Sequence, residues 1–232
     1  MDASLAPLLP AGKYKCMCNS HGTVLALDTC GAEATLALGE MTFGPFSLLR
    51  ESRLGVKTAS SLLTRALRDL LGEMKPEQLR AIVVVRGPGS FTGMRIGLSA
   101  AKALAEAAQV PVVGLSRLAV LAETNQAEFV ALDAGRGSVY LGCFGNGSNT
   151  AELLTPDEVW SRELGVLTVC EDKLTTLFPK SERVAEPTAW TALQYASARV
   201  EAGDWDDVAT VDALYLWRPE QMLRASASPA VL

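Results

Sequence analysis

The segment AIVVVRGPGSFTGMRIGLSAAKALA, Ala81 to Ala105, limits what this chain can fold into more than any other stretch. Ala81 to Val85 is apolar without polar alternation, the pattern of a strand covered on both faces. A glycine-rich loop, Gly87 to Gly93, follows, and the spacing beyond it predicts a helix from Met94 to Ala108. A doubly covered strand that runs straight into a helix implies an α/β fold. Such a junction can aim backbone N–H groups and the positive end of a helix at an anion, or it can simply turn the chain. The loop has neither the Gly-Lys-Ser/Thr ending of a P-loop nor the G-x-G-x-x-G spacing of a dinucleotide turn. Phosphate binding at Gly89, Ser90 and Gly93 is therefore the secondary reading, with Arg86 and Arg95 flanking the loop.

The regions around this unit extend the same architecture. Thr23 to Asp28 and Ala34 to Gly39 read as a hairpin, and part of Met41 to Leu49 as a third strand. A helix capped by Thr58 carries Leu62, Leu63, Ala66, Leu67, Leu70 and Leu71 at helical period and closes at Gly72. Ser116 caps another, running to about Glu123. The pattern then restarts in FVALDAGRGSVYLGCF, Phe129 to Phe144, where Leu132-Asp133 repeats Leu27-Asp28 before a glycine turn. This reads as a candidate internal duplication, the alternative being a chance recurrence of the common strand-turn-strand with Asp and Gly. A short helix from Thr155-Pro156, a strand at GVLTV and a helix from Thr188 to Ala202 complete the reading.

Composition narrows the chemistry. At 232 residues and 49% hydrophobic content the chain can bury one large core or two small ones. A net charge of −5 opposes grip on a phosphate backbone by this chain alone. His21 is the single histidine and lies in the N-terminal stretch, so neither a histidine base for Ser90 nor a pair of histidine metal ligands is at hand. Five scattered cysteines fit reduced thiols rather than a disulfide framework. No apolar run reaches the roughly 18 to 20 residues of a spanning helix, and the expectation is a cytoplasmic protein without a membrane partner.

Two features bear on function. If the two hairpins face one another across a cleft, Asp28 and Asp133 stand where each could hold a magnesium-bound water on a nucleotide; otherwise they are turn residues accepting local N–H bonds. The second half offers no glycine-rich strand-loop-helix of its own for an adenosine, which favours the turn reading. On the helix after the loop, Arg95, Ser99, Lys102 and Glu106 form one narrow polar stripe, and Gly97, Ala101 and Ala105 a ridge of small residues. Leu62, Leu63, Ala66 and Leu70 of the earlier helix, with Met94, Gly97, Ala101 and Leu104 here, serve either the chain's own core or a partner interface.

The segment RGPGSFTGMRIGLSAAKALA resembles the G-P-G-S-F-T-G-x-R-I-G motif of the bacterial TsaB (YeaZ) family. LALDT before it, VPVVGLSRLAVLA after it, LDAGRGSVY beyond and LYLWR near the end resemble that family too, so the likeness runs from about Thr23 to Arg218. The resemblance implies an actin-like ATPase (ribonuclease H-like) duplicated fold with a reduced second lobe. Its divisions would be a flexible extension at 1–22, lobes at 23–125 and 126–218, and a disordered tail at 219–232. It implies a non-catalytic scaffold for a TsaD-like catalytic paralogue, working with a TsaE-like ATPase to place threonylcarbamoyl on the tRNA adenosine next to the anticodon. The tRNA would be reached only through the complex, ATP and metal would belong to partner subunits, and the same surface could close a homodimer. The catalytic relatives carry H-x-x-x-H where Val56 to Leu67 here has no histidine. The chain departs from its own group at Lys57, at Gly135 with arginine displaced to Arg136, and at Ala213 and Trp217. The competing class is an actin-like small-molecule kinase acting alone, which the missing adenosine loop disfavours.

Overall fold

A computed structural model of the chain describes residues 22–42, 45–56, 58–145 and 148–216. His21, Lys57, Trp217, nearly all of the expected N-terminal extension and the expected tail lie outside the described residues. The first half opens with an antiparallel meander of β1 (Gly22–Asp28), β2 (Ala34–Met41) and β3 (Ser47–Leu54). Then come α1 (Ala59–Leu71), a 3-10 turn at Pro76–Gln78, β4 (Leu79–Val85), α2 (Phe91–Ala108) and β5 (Val112–Leu115). β4 runs parallel to β1 and β5 parallel to β4, giving the sheet order β3-β2-β1-β4-β5.

After α3 (Arg117–Asn125) the same scheme returns. β6 (Phe129–Gly135), β7 (Ser138–Gly145) and β8 (Ser148–Leu154) form a second meander. They are followed by α4 (Pro156–Trp160), β9 (Leu167–Val169), α5 (Asp172–Leu177) and β10 (Glu182–Arg183), in the order β10-β9-β6-β7-β8. β9 is parallel to β6 and β10 to β9, so each sheet places its first strand in the middle and adds two parallel strands beside it. The duplication is therefore one of topology. The second copy is reduced: α4 and α5 have 5 and 6 residues where α1 and α2 have 13 and 18.

Both faces of the first sheet are covered, as the unbroken apolar run of β4 requires. Leu25, Leu27, Leu36, Ile82 and Val84 pack against Leu63 and Leu70 of α1 and Leu98 and Ala101 of α2. The opposite face, with Val24, Ala26, Ala37 and Val83, receives Ala189, Ala192, Leu193 and Ala196. That last group comes from the segment read as one helix, Thr188 to Ala202. It breaks at Ala196 into α6 (Ala189–Tyr195) and α7 (Ser197–Ala202), and α6 packs on β1, β2 and β4. Although it follows the second sheet in sequence, α6 thus belongs to the core of the first. α3 lies on β6 and β7 and also against α6, so the two helices join the sheets. The chain then covers the outer edge of β5, where Asp206 bridges Val112 and Gly114 N–H donates to Asp206 Oδ2 at 2.7 Å.

Two boundaries differ from the sequence reading. β3 reaches Leu54 because it is an edge strand exposed along most of its length, so no alternation in SLLRESRL marks it. α2 starts three residues before Met94, because Ser90 is its N-cap and its hydroxyl accepts the Gly93 N–H at 3.2 Å. Among the described residues no helix is long and apolar enough to cross a membrane.

Candidate functional site

Asp28 closes β1 and is 1% exposed. Its Oδ1 accepts the Cys30 N–H at 2.8 Å, which folds the carboxylate into the hairpin turn. Asp133 does the same at the equivalent end of β6, accepting the Gly135 N–H at 3.0 Å. Each aspartate therefore has a turn-forming role, and what surrounds it decides whether it can do more.

Around Asp28 the hairpin turn lies directly on the glycine-rich loop. Thr29 Oγ1 donates to the carbonyl of Gly93 at 2.6 Å, the Ser90 N–H donates to the carbonyl of Cys30 at 2.9 Å, and the Cys30 thiol faces the Val85 carbonyl at 3.2 Å. A Cβ on Gly93 would overlap the Thr29 carbonyl oxygen, one on Gly97 the Thr29 hydroxyl, and one on Gly89 the Cys30 carbonyl. The glycines are needed because the Thr29-Cys30 segment lies against them here; Gly93 and Met94 are buried beneath it, while Ser90, Phe91 and Thr92 at the start of α2 are exposed.

This packing also moves the helix residues expected at an interface. Gly97 faces Thr29; Leu63, Ala66, Leu70, Met94 and Ala101 are buried in the chain's own core. Of that group, Leu62 is exposed and Leu104 half-buried.

The junction of the two halves contains a side chain that the sequence reading missed. Arg117 opens α3 and is 2% exposed. Its guanidinium faces Asp28 (Nε to Oδ2, 3.8 Å), Glu171 at the β9–α5 junction (3.7 Å) and Glu186 before α6 (3.3 Å). The Asp133 backbone N–H in turn stabilises the Glu171 carboxylate, so Arg117 and Glu171 connect one aspartate turn to the other. Lys173 holds the Asp133 side chain from outside, at 2.7 and 2.9 Å from its two oxygens.

Burial dominates the electrostatics. It raises Asp28, against the pull of Arg117, and raises Glu171 in the same way. Burial alone would lower Arg117, but Asp28 and its neighbours outweigh it and hold the guanidinium above its ordinary value. Cys170 is pushed up to about 12 by burial and then by Glu171, leaving it a poor nucleophile.

The Asp28 carboxylate faces Arg117 at 3.8 Å, and the Thr29-Cys30 segment lies against Gly89, Gly93 and Gly97 of the loop and helix. No group of three potential metal ligands occurs among the described residues. Arg117 could have been suspected from one signal: it is the lone charge at the head of RLAVLA, a run whose other members pack on every side. Glu171, Glu186 and Lys173 carry no such mark, because only folding brings them together.

The family model described as TsaD, tRNA N6-adenosine threonylcarbamoyltransferase, matches residues 52–163. The tRNA threonylcarbamoyladenosine biosynthesis protein TsaB of Bacillus subtilis is 35% identical over 144 residues, 59% of this chain and 61% of that protein. TsaB of Haemophilus influenzae is 35% identical over 129 residues, 51% of this chain and 52% of that one. The matches thus span about half to three-fifths of these curated relatives. The structure of YeaZ from Pseudomonas aeruginosa is similar with a TM-score of 0.67 and 27% identity, over 84% of this chain and 100% of that one. With its duplicated actin-like, ribonuclease H-like fold, the chain is similar to the TsaB (YeaZ) proteins in both sequence and structure.

Proposed function

We propose that this chain is a non-catalytic subunit in tRNA threonylcarbamoyladenosine formation and supports a TsaD-like catalytic paralogue. The observation that carries this reading is the setting of Asp28: its carboxylate faces Arg117 and the Thr29-Cys30 segment lies on the glycine loop, where a related fold would work on a nucleotide. A TsaE-like ATPase, ATP and metal then belong to the partners, and the tRNA is reached through the complex. The net charge of −5 agrees with that division.

Burial of the Gly97 ridge turns the docking surface to the outer side of α2. Ile96, Ala100 and Leu104 are half-buried at the rim of the core beside Leu67 of α1, Ala103 and Ala107 are exposed, and Leu62 is 40% exposed. Small apolar residues there allow a partner helix to approach closely. Co-expression with a TsaD-like protein tests this. The unmodified chain should co-purify, and Ala103→Glu, which places a charge in the contact, should weaken binding about tenfold or more without changing the melting temperature. Undiminished binding of Ala103→Glu would move the interface elsewhere. ATP turnover by the isolated chain, lost on Asp28→Asn, would replace the scaffold reading with the kinase one.

A further inference from the structure

We propose that Arg117 is a latch between the two halves of the molecule, closing the charged end of their junction while the apolar α3–α6 contact acts as the hinge. The inference rests on the fold and does not depend on the partner reading.

The carboxylates around Arg117 come from three different parts of the chain. Asp28 ends a strand of the first sheet, Glu171 follows a strand of the second, and Glu186 lies on the segment that returns from the second sheet to α6. The other end of the junction is apolar: Val120 of α3 packs with Ala189, Ala192 and Leu193 of α6. One end of the contact is thus held by charge and the other by hydrophobic packing.

The charged end is built to separate. Arg117 Nε and Asp28 Oδ2 are buried, yet neither makes a hydrogen bond, so the pair is held by attraction across 3.8 Å rather than by directed bonds. Among the described residues the guanidinium donates one hydrogen bond, a long one of 3.3 Å to Glu186, whose side chain is 36% exposed. Removing four charged groups from water offsets much of what their attraction returns, so such a cluster fixes geometry more than it adds stability. Water reaching Glu186 and Glu171 can dissolve the contact from its open side while the apolar side remains packed.

Cys170 provides the readout. It is 3% exposed beneath this junction, whereas Cys143 on β7 is partly exposed and serves as an internal reference. The full chain, native and as Arg117→Met, is treated with iodoacetamide, and labelling of each cysteine is followed by peptide mass spectrometry beside amide hydrogen exchange. The latch predicts that Arg117→Met raises the Cys170 rate relative to Cys143 by about tenfold or more while amides of β4 and β6 keep their protection. An unchanged Cys170 rate in the folded variant overturns the proposal. So does a rise matched by equal loss of protection in β4 and β6, which would make Arg117 an ion pair of one cooperative unit. Should Arg117→Met not fold, Glu186→Gln decides: it keeps the guanidinium and should speed Cys170 labelling about threefold, and no change there overturns the latch.

Discussion

Asp28 ends β1, Asp133 lies two residues from the end of the equivalent β6, and each accepts the N–H two residues on. Beyond that bond their surroundings are opposite. In the first turn Asp28, Thr29 and Cys30 are buried under the glycine loop, with Arg117 in the carboxylate's reach and no room for a Cβ on Gly93. The second turn is open: nothing lies within 4 Å of where a Cβ would stand on Gly135 or Gly137, and Asp133 meets an exposed lysine. A repeated motif therefore repeats a local conformation, and the elements packed around it set its chemistry. The first half has an 18-residue helix whose loop lies over the turn; the second has a 6-residue helix that leaves its turn in water.

The largest expected difference lies in the aspartates. Asp28→Ala leaves Arg117 short of a buried partner and should cost about 3 to 5 kcal/mol, whereas the exposed Asp133–Lys173 pair is worth about 0 to 1 kcal/mol. Urea denaturation of Asp28→Ala and Asp133→Ala measures both, and equal losses would break the comparison.

Glycine substitutions come next. Gly93→Ala forces a methyl group onto the Thr29 carbonyl and should cost about 3 kcal/mol, while Gly137→Ala, at φ 78° in open space, should cost about 1 to 2 kcal/mol from backbone conformation alone. Gly97→Leu should unfold the chain before it touches any partner, since Gly97 faces Thr29. Melting curves of these variants would sharpen how tightly the first turn is sealed.

The smallest effect is a difference of sign with pH. Burial raises Asp28 from its ordinary 3.8, so between the two values the folded chain holds the extra proton. Its contribution to stability is greatest below the unfolded value and falls as pH rises through the folded one. Glu152, hydrogen-bonded to Arg162 at the surface of the second sheet, is lowered instead; its contribution is present above the unfolded value and lost as pH falls through the folded one. On acidification from pH 7 toward 4, the stability gap between the native chain and Asp28→Asn should shift in favour of the native chain. For Glu152→Gln it should shift the other way.

Legibility in the sequence followed the range of the forces involved. The β4-loop-α2 unit, the two Asp-Gly hairpins and the caps at Ser116, Thr155 and Thr188 were readable because periodicity, turn chemistry and capping act within a few residues. β3 was partly hidden because an edge strand exposed on both faces has no pattern to show. The break at Ala196 was hidden because the residues on both sides of it favour helix, and the seat of α6 on the first sheet determines where the chain turns.

The sequence by itself determined the α/β class, the duplicated hairpin and the place of the glycine loop, since each is encoded in contiguous residues. Only the tertiary structure decided what the glycines are for and which face of α2 is free. Gly93 and Gly97 meet Thr29 across 64 and 68 positions of chain, and Arg117 draws Asp28, Glu171 and Glu186 from three separate segments. Contacts of that kind leave no periodic trace, because steric fit and charge pairing depend on distance in space rather than along the chain.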